Sequence, residues 1–221
     1  MLRQTGAFKS RHSMRRVLAI AACLAVVPVP AFADEFDATG TGSLGAADLT
    51  VDGQPSHSAP LAPCAVGSRP TNSTGQVVVG PATRFGPGNT GCRLNPDHTA
   101  SVAIDGQNFD LRLLSRYGGP AIRISRFTAT CDTTPDYGIR TRIGFTGVSG
   151  VSVPSNIPAN YTVTIPGTAG DSRPMAVVVL NEVVSPPPDG TLAVNAMHIK
   201  VFPQGGPAQG DVVVGSVRCT P

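Results

Sequence analysis

From Thr99 to the C-terminus of this 221-residue chain, apolar side chains recur at every second position, and clusters of Gly, Pro, Asn and Asp interrupt them. A period of two marks a strand with one face buried, and no stretch carries the 3.6-residue period of an amphipathic helix. Tyr137, Ile139, Thr141, Ile143 and Phe145 alternate with Arg140 and Arg142, and Tyr161, Val163 and Ile165 alternate with Thr162 and Thr164. Residues 175–180 form a continuous apolar run, as expected of a central strand covered on both faces. Residues 192–202 and 211–219 flank the loop PQGGPAQG and should form a long hairpin. The expectation is all-β: an antiparallel β-sandwich or barrel-like fold of about ten strands.

The remaining elements follow from turn chemistry. Asp105-Gly106 separates Val102 and Ile104 from Phe109, Leu111 and Leu113, which predicts a hairpin closed by a type I′ turn. The sequence YGGP at 117–120 predicts a turn into a strand over 121–131. There the inward parity passes from Ile122 and Ile124 to Phe127 and Ala129, as a bulge near Ser125 would produce. Val151 and Val153 continue the pattern after Gly150. The polyproline stretch 185–190 cannot pair in a sheet. Earlier in the chain, 48–51 reads as a strand ending at Asp52-Gly53, 54–75 as a four-proline loop, 76–79 as a short strand and 80–91 as a turn-rich connection.

The N-terminus has the form of an export signal. Arg15 and Arg16 precede an apolar run over 17–29, and Ala31-Phe32-Ala33 offers small residues for cleavage before Asp34. Residues 1–33 are therefore read as a signal peptide starting at Met14, 34–46 as an acidic, glycine-rich flexible lead-in and 47–221 as a single all-β domain. The apolar run does not read as a membrane span, because prolines 28 and 30 and three acidic residues close it. Ile20-Ala21-Ala22-Cys23 has the form of a lipobox, but ten apolar residues continue beyond its cysteine, so general secretion is the better reading.

Cleavage alters the composition. Five of seventeen basic residues leave with the signal and all fourteen acidic ones stay, so the remainder carries twelve against fourteen, a net −2. This argues against nucleic acid as a partner. It also removes Cys23 and leaves an even set, Cys64, Cys92, Cys131 and Cys219, which in an exported chain reads as two disulfides. Three connectivities are open. Phe127 and Ala129 share strand parity with Cys131, and Val213 and Val217 share it with Cys219, so both late cysteines should point inward. That favours Cys131–Cys219 with Cys64–Cys92.

Chemistry-bearing residues are sparse. His57, His98 and His198 show no metal-ligand spacing, no GxSxG occurs, and no cofactor is implied. The most interesting position is His198, with Asn195 three residues before it and Glu182 on an expected neighbouring strand. Together they form either a polar site or a hydrogen-bonded tie between strands. Asp132 and Asp136 flank one loop. Arg116, Arg123, Arg126, Arg140 and Arg142 would form a guanidinium-rich face for acidic glycans or phosphate if their strands paired, although outward arginines commonly serve as solvated, edge-protecting charges.

Three C-terminal stretches, VVLNE at 178–182, AVNAMHI at 193–199 and GDVVVGSVRC at 210–219, resemble the blocks "VTLNEQ", "TVNALHV" and "DVVVGSARC" of the choice-of-anchor P proteins. These are exported proteins of high-GC Gram-positive bacteria. The likeness covers roughly residues 122–219, with a looser match at the AxGxGxLxxxxLxV pattern over 38–51. Members of that family often end in a sortase motif or another anchor, which the ending Thr220-Pro221 lacks. The resemblance implies a surface or secreted domain without an assigned activity. The expectation is thus a secreted, non-enzymatic module of the cell envelope, released or loosely wall-associated, with no transmembrane span after cleavage. Its partner would be an envelope protein or wall polymer. The alternatives are a secreted hydrolase using His198 with Glu182, and an inhibitor presenting a Pro/Gly loop at 54–75 or 154–160.

Overall fold

A computed structural model describes residues 37–168, 170, 172–184 and 190–221, all in one folded unit. Residues 1–33, read as a signal peptide, and the polyproline stretch 185–189 lie outside the described residues. The first half contributes β1 (Thr39–Val51), β2 (Gln54–His57), β3 (Cys64–Ala65), β4 (Thr71–Thr74), β5 (Val77–Val79), β6 (Thr83–Phe85), β7 (Gly88–Leu94) and β8 (Ala100–Leu111). A 3₁₀ turn, Leu113–Tyr117, leads to β9 (Ile122–Thr133), β10 (Ile139–Thr146), β11 (Tyr161–Ile165), β12 (Ala176–Val183), β13 (Leu192–Val201) and β14 (Ala208–Thr220). The fold is all-β, with two antiparallel sheets. The first runs β11-β12-β13-β14-β1-β2, with β3 also on β1; the second runs β10-β9-β8-β6-β5, with β7 and then β4 beside β6 on the same flank of β8. No helix among the described residues is long and apolar enough to cross a membrane.

Both disulfides join one sheet to the other. Cys64 on β3 bonds Cys92 on β7, and Cys131 on β9 bonds Cys219 on β14, as strand parity favoured. Cys92, Val102 and Cys131 are directly paired across the second sheet, so the two bridges flank Val102. Opposite it, a Cβ on Gly40 or Gly42 would lie 2.5 or 2.9 Å from the Val102 methyls. The flexible lead-in expected over 34–46 is therefore corrected from residue 39 onward. Its glycines belong to β1, and Gly40 and Gly42 are small because the Val102 side chain occupies that space.

Six strands, β1, β8, β9, β12, β13 and β14, each change their inward parity once, and within each sheet the changes line up. In β14, Val212 and Val214 face the core, then Val217 and Cys219, with Gly215 between them at φ 68°. The change falls at Asn181 (φ 50°) in β12, at Ala196 in β13 and at Leu44-Gly45 in β1. Pairing skips these residues and resumes in the same register, so this is one crease shared by four strands. The second sheet has its own crease, through Asn108 (φ 53°) in β8, Ser125 in β9 and Gly147 (φ 61°).

The crease in the second sheet corrects the hairpin expected at Asp105-Gly106. β8 runs straight through these residues, and Gly106 pairs with Phe127, whose ring fills the place of its missing side chain. The parity shift near Ser125 is present, but Asn108 matches it across the pair, so no residue is inserted as in a one-sided bulge. Three further readings change. Val213 lies outside the inward row, 80–91 contains β6 and the first half of β7 rather than a plain connection, and Val151 and Val153 are not in a strand. The hairpin β13–β14, the strand β11 and the turn at Asp52-Gly53 stand as expected, and so does the half-buried β10 from Ile139 onward, whereas Tyr137 lies before it in a turn at φ 59° and is exposed. β5 likewise lies within the strand expected over 76–79.

Candidate functional site

In a regular strand Asn195 and His198, three residues apart, point to opposite faces. The crease at Ala196 turns both outward, and the crease at Asn181 does the same for Glu182. On the outer face of the first sheet, Asn195 Nδ2 donates to Glu182 Oε2 at 2.8 Å, and His198 Nδ1 lies 2.8 Å from both Glu182 oxygens. The three residues expected to meet are thus brought together. A fourth was missed: His198 Nε2 lies 2.7 Å from Asp211 Oδ1 on β14. The signal for Asp211 was the β13–β14 hairpin itself, which pairs Lys200 with Asp211 two residues along from His198.

Burial grades the cluster. The side chains of His198 and Glu182 are 15% and 16% exposed, whereas that of Asp211 is 56% exposed. With a carboxylate at each ring nitrogen, only the imidazolium donates to both; a neutral ring sets a lone pair against an acceptor. A histidine acting as general base needs one nitrogen facing the proton it removes, and here both face carboxylates. The arrangement is a chain of polar ties across β12, β13 and β14.

The other sequence positions are dispersed. His98 Nδ1 contacts Asp37 at 2.7 Å, and His57 Nδ1 lies 3.9 Å from Asp48. Among the described residues no group of three or more His, Cys, Asp or Glu side chains is placed to hold a metal. The Thr134 hydroxyl donates to Asp136 and holds its carboxyl below the usual value, while Asp132 stands across from Arg140. Because β9 and β10 pair, Arg123, Arg126, Arg140 and Arg142 share the outward face of the second sheet, whereas Arg116 lies on the 3₁₀ turn; Arg116 pairs with Asp52 and Arg126 with Asp105. Arg123 instead joins Arg84 and Arg112 around Asp110.

Two concavities neighbour these elements. A cleft of about 660 Å³ lies between β10 and the 148–157 segment, with Ile143, Phe145, Val153 and Ile157 as apolar lining and Arg142, Asn156 and Asn181 as polar lining. Glu182, Asn195 and His198 do not line it. A groove of about 490 Å³ includes Asp48, Lys200, Phe202, Gln209 and Asp211. The proline-rich 54–75 stretch, read as a loop, holds β2, β3 and β4; the Cys64 bridge pins it as expected.

Compared with protein-family models, with curated proteins and with solved structures, the chain matches none. The stretches 178–182, 193–199 and 210–219 lie on adjacent strands, β12, β13 and β14. They bear Glu182, Asn195, His198 and Asp211 together with the crease residues Asn181, Ala196 and Gly215.

Proposed function

We propose that this chain is an exported, non-catalytic module of the cell envelope, akin to the choice-of-anchor P proteins, which holds its shape in an oxidising compartment and binds an envelope protein or wall polymer. The observation that carries this reading is the placement of all four cysteines after residue 33 as sheet-to-sheet bridges, together with the export pattern ahead of them. Bridges of this kind persist where thiols are not kept reduced. The His198 cluster supports the non-catalytic part of the reading, since its hydrogen-bonding groups are turned on one another rather than toward a substrate.

The test is expression in a high-GC Gram-positive host with fractionation and N-terminal sequencing. The expected result is oxidised protein in the medium or wall fraction beginning at Asp34. Reduced protein retained in the cytoplasm with residues 1–33 attached overturns export. Turnover of peptide, ester or glycan substrates that vanishes in His198→Ala or Glu182→Ala overturns the non-catalytic reading.

A further inference from the structure

Three arginines converge on one carboxylate on the outward face of the second sheet. Arg84 on β6 and Arg123 on β9 stand directly across from Asp110 on β8, one on each side, and Arg112 follows two residues along the chain. Asp110 Oδ2 accepts from Arg112 Nε at 2.7 Å and from Arg84 Nη2 at 3.2 Å, and Arg123 Nε lies 3.4 Å from Oδ1. The Asp110 side chain is 6% exposed, while those of Arg84, Arg112 and Arg123 are 41%, 59% and 55% exposed.

One guanidinium suffices to neutralise a buried carboxylate. Among the described residues Asp110 is the one carboxylate at ion-pair distance from any of the three arginines, so two positive charges are left over. Each guanidinium has five N–H donors and directs only part of them at Asp110. Arg84, Arg112 and Arg123, together with Asp110, Asn108 and Ser125, border a depression of about 200 Å³. That is below the size of a typical small-molecule pocket, and it suits a single charged group.

We infer that this depression binds a tetrahedral oxyanion, specifically a phosphate group, free or carried on a polymer. Phosphate near neutral pH carries up to two charges, which matches the surplus, and guanidinium forks pair with its oxygens in a planar, bidentate manner. Asp110 supplies preorganisation. By holding Arg84 and Arg112 in hydrogen bonds and Arg123 at ion-pair distance before the ligand arrives, it removes part of the ordering cost of binding. The site names a ligand class for the proposed binding role but does not depend on export, because binding by the purified chain is measured whatever its compartment.

The experiment is calorimetric titration of the oxidised chain with sodium phosphate, linear polyphosphate and sodium acetate at constant ionic strength. Phosphate is expected to bind at one site and acetate at least about tenfold more weakly, since a carboxylate engages fewer donors. Arg112→Gln leaves two arginines beside Asp110 and should weaken phosphate about tenfold, the effect of losing one charge-assisted hydrogen bond. The double variant Arg140→Gln/Arg142→Gln removes two exposed charges from β10 and should leave affinity within about twofold, because screened charges beyond a Debye length contribute little. Melting curves establish that each variant is folded. No phosphate binding, acetate binding as tightly, or equal weakening in the β10 variant overturns the inference. Polyphosphate binding about tenfold tighter per phosphate than the free ion assigns the site to a polymer, and parity assigns it to the free ion.

Discussion

Gly215→Ala tests whether the crease in the first sheet is built around a missing Cβ. The residue has φ 68°, and an added Cβ would lie 2.7 Å from Ile104 Cδ1, 3.3 Å from Ala196 Cβ and 3.4 Å from Phe127 Cδ2. Placing a Cβ in the left-handed region costs about 1–2 kcal/mol. Crowding adds about 1–3 kcal/mol, toward the low end here because the closest atom is the mobile tip of Ile104. The total, about 2–4 kcal/mol, is a large share of the roughly 5–15 kcal/mol that holds a domain folded. Gly53→Ala is the reference: φ there is 76° with nothing within 4 Å, so only the backbone cost acts. Urea unfolding of the oxidised protein, followed by circular dichroism and tyrosine emission, should find Gly215→Ala less stable than Gly53→Ala by about 1–2 kcal/mol at equal m-value. Ile104→Val alone should cost about 0.5–1.5 kcal/mol, and in the Gly215→Ala background nearly nothing, because it deletes the crowding methyl. Equal stability of the two alanine variants, or strict additivity of Ile104→Val, refutes the reasoning.

Replacing Cys131 and Cys219 together by Ala should destabilise more than replacing Cys64 and Cys92. Their sequence separations are 88 and 28, which the chain-entropy model converts to a difference of about 1 kcal/mol, readable from denaturation midpoints. Glu182→Ala strands Asn195 and one nitrogen of His198 at a shielded position, so a loss of about 1–3 kcal/mol is expected in the same assay. Asp211→Ala, at an exposed partner, should cost less than about 1 kcal/mol. The hydroxyl and backbone N–H of Thr99 hold the Asp97 carboxyl below its usual value. A carboxyl lowered on folding adds stability above its unfolded pKa, and that stability is lost as pH falls through the folded value. Thr99→Val should therefore raise the Asp97 midpoint in a side-chain NMR titration; an unchanged midpoint contradicts the hydrogen-bond cause.

Local pattern carried much of the fold because alternation is a property of one strand at a time. Ile139 to Phe145 or Tyr161 to Ile165 announce their buried face without reference to any neighbour. The cysteine pairing was legible for a related reason, although the path to it was partly mistaken: Val217 does share the inward row of Cys219, but Val213 does not. Asp105-Gly106 misled because a turn and a crease both change the inward parity, and here the change falls two residues after Gly106, at Asn108. What separates them is whether the next strand runs alongside or turns back.

By itself, the sequence determined the all-β class, favoured the two bridges over the other connectivities and singled out Glu182, Asn195 and His198 as a candidate polar site. Periodicity, cysteine parity and hairpin logic act over a few residues and survive without coordinates. Only the tertiary structure decided that a shared crease turns those three side chains to one face, that Asp211 completes them, that Gly40 and Gly42 make room for Val102, and that Arg84 and Arg112 rather than Arg126 join Arg123. Each of these depends on which residue stands across a strand pair or across the core. Register and sheet-to-sheet packing set that partner, and no single strand encodes it.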